Sequence, residues 1–310
     1  HGRFPFEVSL QHKYNFADIP VVSIYFEILF EQAQKNDVSI SKKVIPNEII
    51  YTHDIDQLRS GWFENIMFHT ENFSLKSLFE IPKNIIVKLF GFKDDYFKGM
   101  EEMLAIDQEN KINAISFFIP KKSAKDADFE LTDSKFNSLI KESKKTQEIG
   151  FHPGYETFKN QKEFNFQKET LETIFDQKIT KSRQHFLRYD IEQTPYIIEH
   201  SGIEEDYTLG FAEQYGFRNG IAHYFYLYNF KENRAFNFLS IPLVFMDVSL
   251  TNYKEISLKE RTLKFNEIET FLVKTKANFP TCVSVLFHNS VFSKVKYNGF
   301  RIFYEKMTQV

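Results

Sequence analysis

A chain of 310 residues with 42% apolar content is long enough to bury a full core, as one large domain or two small ones. Its formal net charge of −3 argues against a general electrostatic pull toward nucleic acid or an anionic membrane, and no dense run of Lys and Arg interleaved with aromatics occurs. The single cysteine, Cys282, excludes an intrachain disulfide and a cysteine-built metal centre, so any metal must sit on His, Asp or Glu.

No run of 18 or more apolar residues is present, so no transmembrane helix is expected. The first residues lack the charged head and apolar stretch of a secretory signal, which makes a cytoplasmic location the expectation. The chain begins His1-Gly2, which leaves room for an upstream N-terminal domain or a removed signal. The 36 phenylalanines read as a Phe-rich core rather than an aromatic binding strip.

In chain order, residues 1–44 read as an N-terminal helical accessory segment. Val21, Val22, Ile24, Tyr25, Ile28 and Leu29 recur at helical spacing, and a polar linker follows from Lys35 to Lys43. Residues 45–310 read as the main domain. Residues 48–52 form an apolar run that opens onto His53-Asp54-Ile55-Asp56, a buried strand ending in a polar loop. The aromatic-rich stretch from Gly61 to Gly91 reads as a helical insertion.

A helix is expected over 94–108, capped by Asp94 or Asp95, then a strand over 112–119 stopped by Pro120. A helix over 132–144 precedes a strand over 147–151 that delivers His152. A helix over 163–175 precedes a strand over 181–187 containing Arg183 and His185. A short helix over 194–201 leads into strand-like pieces at 207–209, 222–229 and 243–246. A long helix over 258–276, a strand over 282–287 ending at His288, and a closing helix over 299–307 complete the chain. Strands alternating with helices of this length point to parallel β/α units.

The positions of the titratable residues carry the functional signal. Asp54, Asp56, His152 and His288 each stand at the end of an expected strand, and in β/α folds catalytic groups gather at the carboxyl ends of strands. Two carboxylates two residues apart can project to one side, one binding a metal while the other stays a base. His152 is a candidate imidazole ligand, with Glu156 four residues on as a second. Period two on the strand at 181–187 sets Arg183, His185 and Leu187 on one face, where Arg183 needs a carboxylate partner such as Asp54. His288 suits a general acid, with Asp247, after the apolar residues 243–246, as the carboxylate that orients it.

With those residues in view, the chain resembles the polysaccharide deacetylase family, carbohydrate esterase family 4, and within it a bacterial branch. The resemblance rests on Thr52-His53-Asp54-Ile55-Asp56, Gly150-Phe151-His152-Pro153-Gly154-Tyr155, Arg183-Gln184-His185-Phe186-Leu187-Arg188 and Leu286-Phe287-His288-Asn289, in that order, and spans residues 45–307. It implies an irregular (β/α) barrel of about seven strands and a divalent ion, zinc being expected, that helps remove acetyl groups from N-acetylated sugars of a glycan. By resemblance Asp54 matches the base, Asp56 and His152 two metal ligands, Arg183 the arginine that holds the base, His288 the acid and Asp247 its partner. Phe151, Tyr155 and Phe287 are expected as walls for the sugar and the acetyl methyl. The family's second histidine ligand, four residues after the first, is Glu156 here, so the third ligand is either Glu156 or, favoured slightly, His185.

Two other readings compete. A carbohydrate-binding member of the same fold that has lost catalysis is motivated by Glu156. A glycoside hydrolase would instead use two carboxylates, Asp54 and Asp247, without a metal.

Overall fold

The computed structural model describes residues 2–36, 38–251, 258–293, 297 and 299–310, with the backbone alone at 258 and 259. Asp37, inside the expected polar linker, lies outside them. In chain order the elements are α1 (Leu10–Tyr14), α2 (Val21–Lys35), β1 (Glu48–Ile55), α3 (Gly61–Glu71), α4 (Ser77–Phe90), α5 (Asp95–Asn110) and β2 (Ile115–Phe118). Then follow α6 (Asn137–Thr146), β3 (Glu148–Phe151), α7 (Gln161–Phe175), β4 (Lys181–Ser182), α8 (Thr194–His200), β5 (Glu205–Asp206) and β6 (Phe225–Asn229). The last are β7 (Arg234–Ser240), β8 (Leu243–Met246), α9 (Leu258–Asn278), β9 (Cys282–His288) and α10 (Phe300–Met307). Local chemistry explains several boundaries. The Asp94 carboxylate accepts from the N–H groups of Tyr96 and Phe97 and so starts α5, and the Asn160 side chain accepts from Glu163 N–H at the start of α7.

The chain divides into two compact units. One comprises Tyr51–Ile179 and Phe287–Gln309. Within it β1, β2 and β3 run parallel, side by side in that order. The register pairs Asp54 with Phe117 and Phe117 with Gly150, so these three share one face of the sheet. Asp56 and His152, each two residues further on, belong to the same face. The opposite face is set by His53, Ser116 and Ile149 in register.

That opposite face holds a fully buried polar network. His53 Nε2 lies 3.0 Å from Asp107 Oδ2, and its Nδ1 lies 3.1 Å from the Phe287 carbonyl. Tyr304 donates its hydroxyl proton to Asp107, Gln147 donates its amide to the same carboxylate, and the Ser116 hydroxyl donates to Gln147. Burial, with Asp107 beside it, holds the Tyr304 hydroxyl well above its ordinary pKa. A buried polar group without a partner is costly, and here α5, α10 and β1 supply partners to one another.

The other unit comprises His1–Ile50, Thr180–Leu286 and Val310. Here β5 runs parallel to β4 and β7, β8 runs parallel to β9, and β6 pairs with β7 antiparallel. The expected N-terminal helix is α2. Its first turn is tied to the loop at 220–222, with Val22 N–H donating to Gly220 O at 2.8 Å and Ala222 N–H to Ser23 Oγ at 3.0 Å.

Two sequence expectations are corrected here. The mixed α/β class holds, but nine strands stand among the described residues against about seven expected. The antiparallel β6–β7 hairpin was not foreseen: its link at 230–233 turns through Asn233 at φ 51° with no helix between the strands. Second, residues 181–187 are not one strand. β4 stops at Ser182, and His185–Leu187 form a 3-10 turn with Phe186 and Leu187 at φ 59° and 52°. The turn swings Leu187 into a cluster with Ala212, Leu243, Met246 and Leu286, so packing overrides period two.

Candidate active site

Asp54, Asp56, His152 and His288 all fall in the first-described unit, and the structure brings them together. Asp56 follows the last residue of β1. His152 extends β3 by one step, its N–H donating to Phe118 O at 3.0 Å, before Pro153, which has no N–H, ends the ladder. His288 closes β9.

His152 Nε2 lies 3.5 Å from Asp54 Oδ2 and 3.4 Å from Asp56 Oδ1, and His288 Nε2 lies 3.6 Å from Asp56 Oδ2. These separations exceed an ordinary N–H···O bond of about 2.7–3.2 Å. They match two donors on one tetrahedral ion: bonds of roughly 2.0–2.1 Å put ligand atoms about 3.3 Å apart. Asp54 and His152 are buried, whereas the Asp56 and His288 side chains keep 21% and 14% of their exposure. The cluster is therefore closed on the Asp54 side and open on the other.

Carboxylates outside the cluster hold its loops, and the sequence offered no means of finding them. Asp128 Oδ1 accepts from Leu58 N–H at 2.7 Å and Oδ2 from Arg59 N–H at 3.0 Å, which pins the chain just past Asp56. Asp126 Oδ1 accepts from Tyr155 N–H at 2.7 Å and Gln167 Oε1 from Gly154 N–H at 2.9 Å, which pins the chain past His152. Asn289 Nδ2 donates to Gln57 O at 2.6 Å, tying the His288 end to the Asp56 end.

The remaining candidates are placed as follows. Glu156 lies on a 3-10 turn, Tyr155–Thr157, with its side chain 73% exposed and Lys125 Nζ 3.9 Å away. Tyr155 is half-buried, with the same ammonium 3.9 Å over its ring. Phe151 and Phe287, expected as sugar walls, are core rings. Both are fully buried; Phe151 faces away from Asp54 and packs on Phe164 at 5.0 Å, and Phe287 packs on Tyr304 at 4.7 Å.

Arg183, His185 and Asp247 belong to the other unit. Arg183 is fully buried, and its Nε donates to Tyr207 O at 3.1 Å. His185 is buried with its ring stacked on Phe186 at 3.9 Å. Asp247 follows β8 and accepts from Val248 N–H at 2.6 Å. A further carboxylate that the sequence did not single out, Asp206, is wholly buried near Arg183. Burial pushes its pKa up to about 6, against the opposing pull of hydrogen bonds from Thr208 and Ser182 and of the Arg183 charge.

No family model matches this sequence, and no curated protein matches it. Solved structures do. A protein from Mycobacterium smegmatis assigned to the polysaccharide deacetylases superposes with a TM-score of 0.52 at 12% identity, over 87% of this chain and 86% of that one. Puue allantoinase superposes with a TM-score of 0.50 at 10% identity, over 88% and 93%. At such identities the likeness is one of fold: this chain has the fold seen in polysaccharide deacetylases. No helix among the described residues is long and apolar enough to cross a membrane.

Proposed function

We propose that this chain, with its deacetylase-type fold, is a metal-dependent N-deacetylase that removes acetyl groups from N-acetylated sugars of a glycan. The observation that carries the reading is the approach of His152 Nε2 to carboxylate oxygens of Asp54 and Asp56, at 3.5 and 3.4 Å. An imidazole and a carboxylate suit zinc or a similar divalent ion. By the resemblance Asp56 and His152 are ligands, and on the sequence reading His185 is the third. Glu156 suits that role less well, because it stands at the surface beside Lys125. When bound, such an ion polarises an amide carbonyl and lowers the pKa of water.

The chain's own residues take the following parts. Asp54 accepts the proton of the attacking water, and its burial keeps competing water away. Arg183, matched by resemblance to the arginine that holds the base, keeps Asp54 ionised. His288 donates a proton to the departing amine nitrogen, with Asp247 orienting the imidazole. Tyr155 forms a wall of the sugar site. Residues 45–310 form the catalytic body and 1–44 the accessory segment.

A second reading, a glycan-binding member without turnover, draws on Glu156, which stands where the family has its second histidine. The test is the metal content of the purified chain together with acetate release from N-acetylated chito-oligosaccharides, for the wild type and Asp54→Asn. One tightly held ion in both, and turnover in the wild type alone, supports the deacetylase. Glycan binding without acetate release and with an easily stripped ion supports the second reading. Activity that survives complete chelation sinks the metal assignment.

A further inference from the structure

The α3–α4 hairpin is built inside out. The residues that α4 buries are Ser77 and Asn84, and those of α3 are Gly61, Asn65 and His69. They form a polar seam: Asn65 Nδ2 donates to Asn84 Oδ1 at 3.3 Å and to Asp95 Oδ2 at 2.9 Å, and Ser77 Oγ lies 3.4 Å from His69 Nδ1. Most apolar side chains of α4 point outward instead, Ile81 and Val87 being half-buried. Leu78, Phe79, Ile85, Ile86, Leu89 and Phe90 are all exposed, Phe79 at 77% and Leu89 at 74%. Single exposed apolar residues need no explanation, but a continuous apolar face over a buried polar one does.

At about 100° per residue the six side chains fall within an arc of roughly 140°. On the same wheel Lys76 and Lys83 border one edge, and Lys88 lies about 60° beyond the other, past the half-buried Ile81. From Lys76 to Lys93 four lysines stand against one glutamate, Glu80, which is bonded to Lys83. An apolar stripe edged by lysines, whose stems can lie along it while their ammonium groups reach outward, fits the boundary between acyl chains and anionic headgroups. A second copy of this chain fits less well, because it would set one lysine-edged stripe against another. The helix has 14 residues, about 21 Å long, so it would lie in the interface and not span it.

We propose that the α3–α4 hairpin is a membrane-docking surface that seats in the interface of a bilayer containing anionic lipid. The overall charge of the chain, −3, supplies no attraction, so the apolar stripe provides the binding and the lysines the lipid preference. The hairpin starts at Gly61, five residues after Asp56. The proposal goes beyond the deacetylase reading and does not depend on it.

The test is flotation of the full chain with vesicles of phosphatidylcholine alone or mixed with phosphatidylglycerol, alongside fluorescence of Trp62. This is the one tryptophan of the chain, and it lies in α3 beneath Lys88 Nζ at 4.9 Å. Wild type should float with the mixed vesicles, and brominated acyl chains should quench Trp62. The triple variant Phe79→Ser, Leu89→Ser, Phe90→Ser should lose about tenfold or more of its partitioning with an unchanged unfolding midpoint. Lys76→Gln, Lys83→Gln, Lys88→Gln should keep residual binding but lose the preference for the anionic lipid. Absence of both flotation and quenching in the wild type overturns the proposal. So does a lipid-free dimer that the triple serine variant dissociates while vesicles go unbound, which would assign the face to a second copy.

Discussion

Gly150→Ala tests the packing that holds the cluster. A Cβ at Gly150 would lie 2.3 and 2.4 Å from Cδ1 and Cε1 of the Phe117 ring. Ordinary carbon contacts are about 3.5–4.0 Å, so the ring would have to retreat by roughly 1 Å or more. Phe117 is fully buried in a close-packed interior and has nowhere to go at low cost. Overpacking of this kind costs about 1–3 kcal/mol, here near the upper end, less some 0.4–1 kcal/mol regained from a stiffer unfolded chain. A net loss of about 2 kcal/mol is expected in urea unfolding. Phe117 stands in register between Asp54 and Gly150, so a displaced ring also disturbs the Asp54–His152 approach, and metal affinity should fall with stability. Phe117→Leu alone leaves a cavity and destabilises, yet in the Gly150→Ala background it should restore part of the loss, a favourable coupling of about 0.5–3 kcal/mol. The reasoning is refuted if Gly150→Ala stays within about 0.5 kcal/mol of wild type, or if the two changes simply add.

The two loop carboxylates should answer differently to the same change. At Asp128 both oxygens accept from backbone N–H groups, so Asp128→Asn sets an amide donor against a donor; at Asp126 the second partner is the Ser123 hydroxyl, which can accept instead. Asp128→Asn should therefore cost about 1 kcal/mol or more beyond Asp126→Asn in urea unfolding, and equal losses would contradict the assigned bonds. The Asp206 pKa is raised from 3.8 to about 6 on folding, so its stabilising contribution is complete below pH 3.8 and is lost as pH rises through about 6. Relative to Asp206→Asn, wild type should lose roughly 3 kcal/mol of stability between acid and neutral pH, and parallel pH profiles would remove the effect. His288→Ala should lower turnover about 10²–10⁴-fold while the chain retains its metal, and near wild-type turnover would end the assignment of His288 as the acid.

The strand-end positions of the candidate residues were legible in the sequence. Residues 282–287 are buried throughout and apolar but for Ser284, a pattern that fits a strand covered on both faces, and His288 emerges at its carboxyl end. The same logic placed Asp54, Asp56 and His152, and a side-chain period of two set Asp54 and Asp56 on one face whatever the rest of the chain did. The helix starting at Asp94 was equally local, because one carboxylate bonded to two backbone N–H groups begins it.

Other features needed the folded chain. Residues 181–187 alternate like a strand, yet the gain from seating Leu187 among Leu243, Met246 and Leu286 bends them into a turn. Phe151 and Phe287 flank the histidines in sequence, and the sheet's alternation sends both rings into the core instead of toward a ligand. The loop carboxylates Asp126 and Asp128 gain their partners from segments 29 and 70 residues away, a pairing no local pattern encodes. The stretch that holds α4 was expected to be helical, but which face turns outward is decided by the hydrogen bonds among Asn65, Asn84 and Asp95. Periodicity, helix caps and strand ends are properties of a short stretch of backbone and belong to the sequence; facing, long-range pairing and burial are properties of what lies opposite, and only the tertiary structure supplies that.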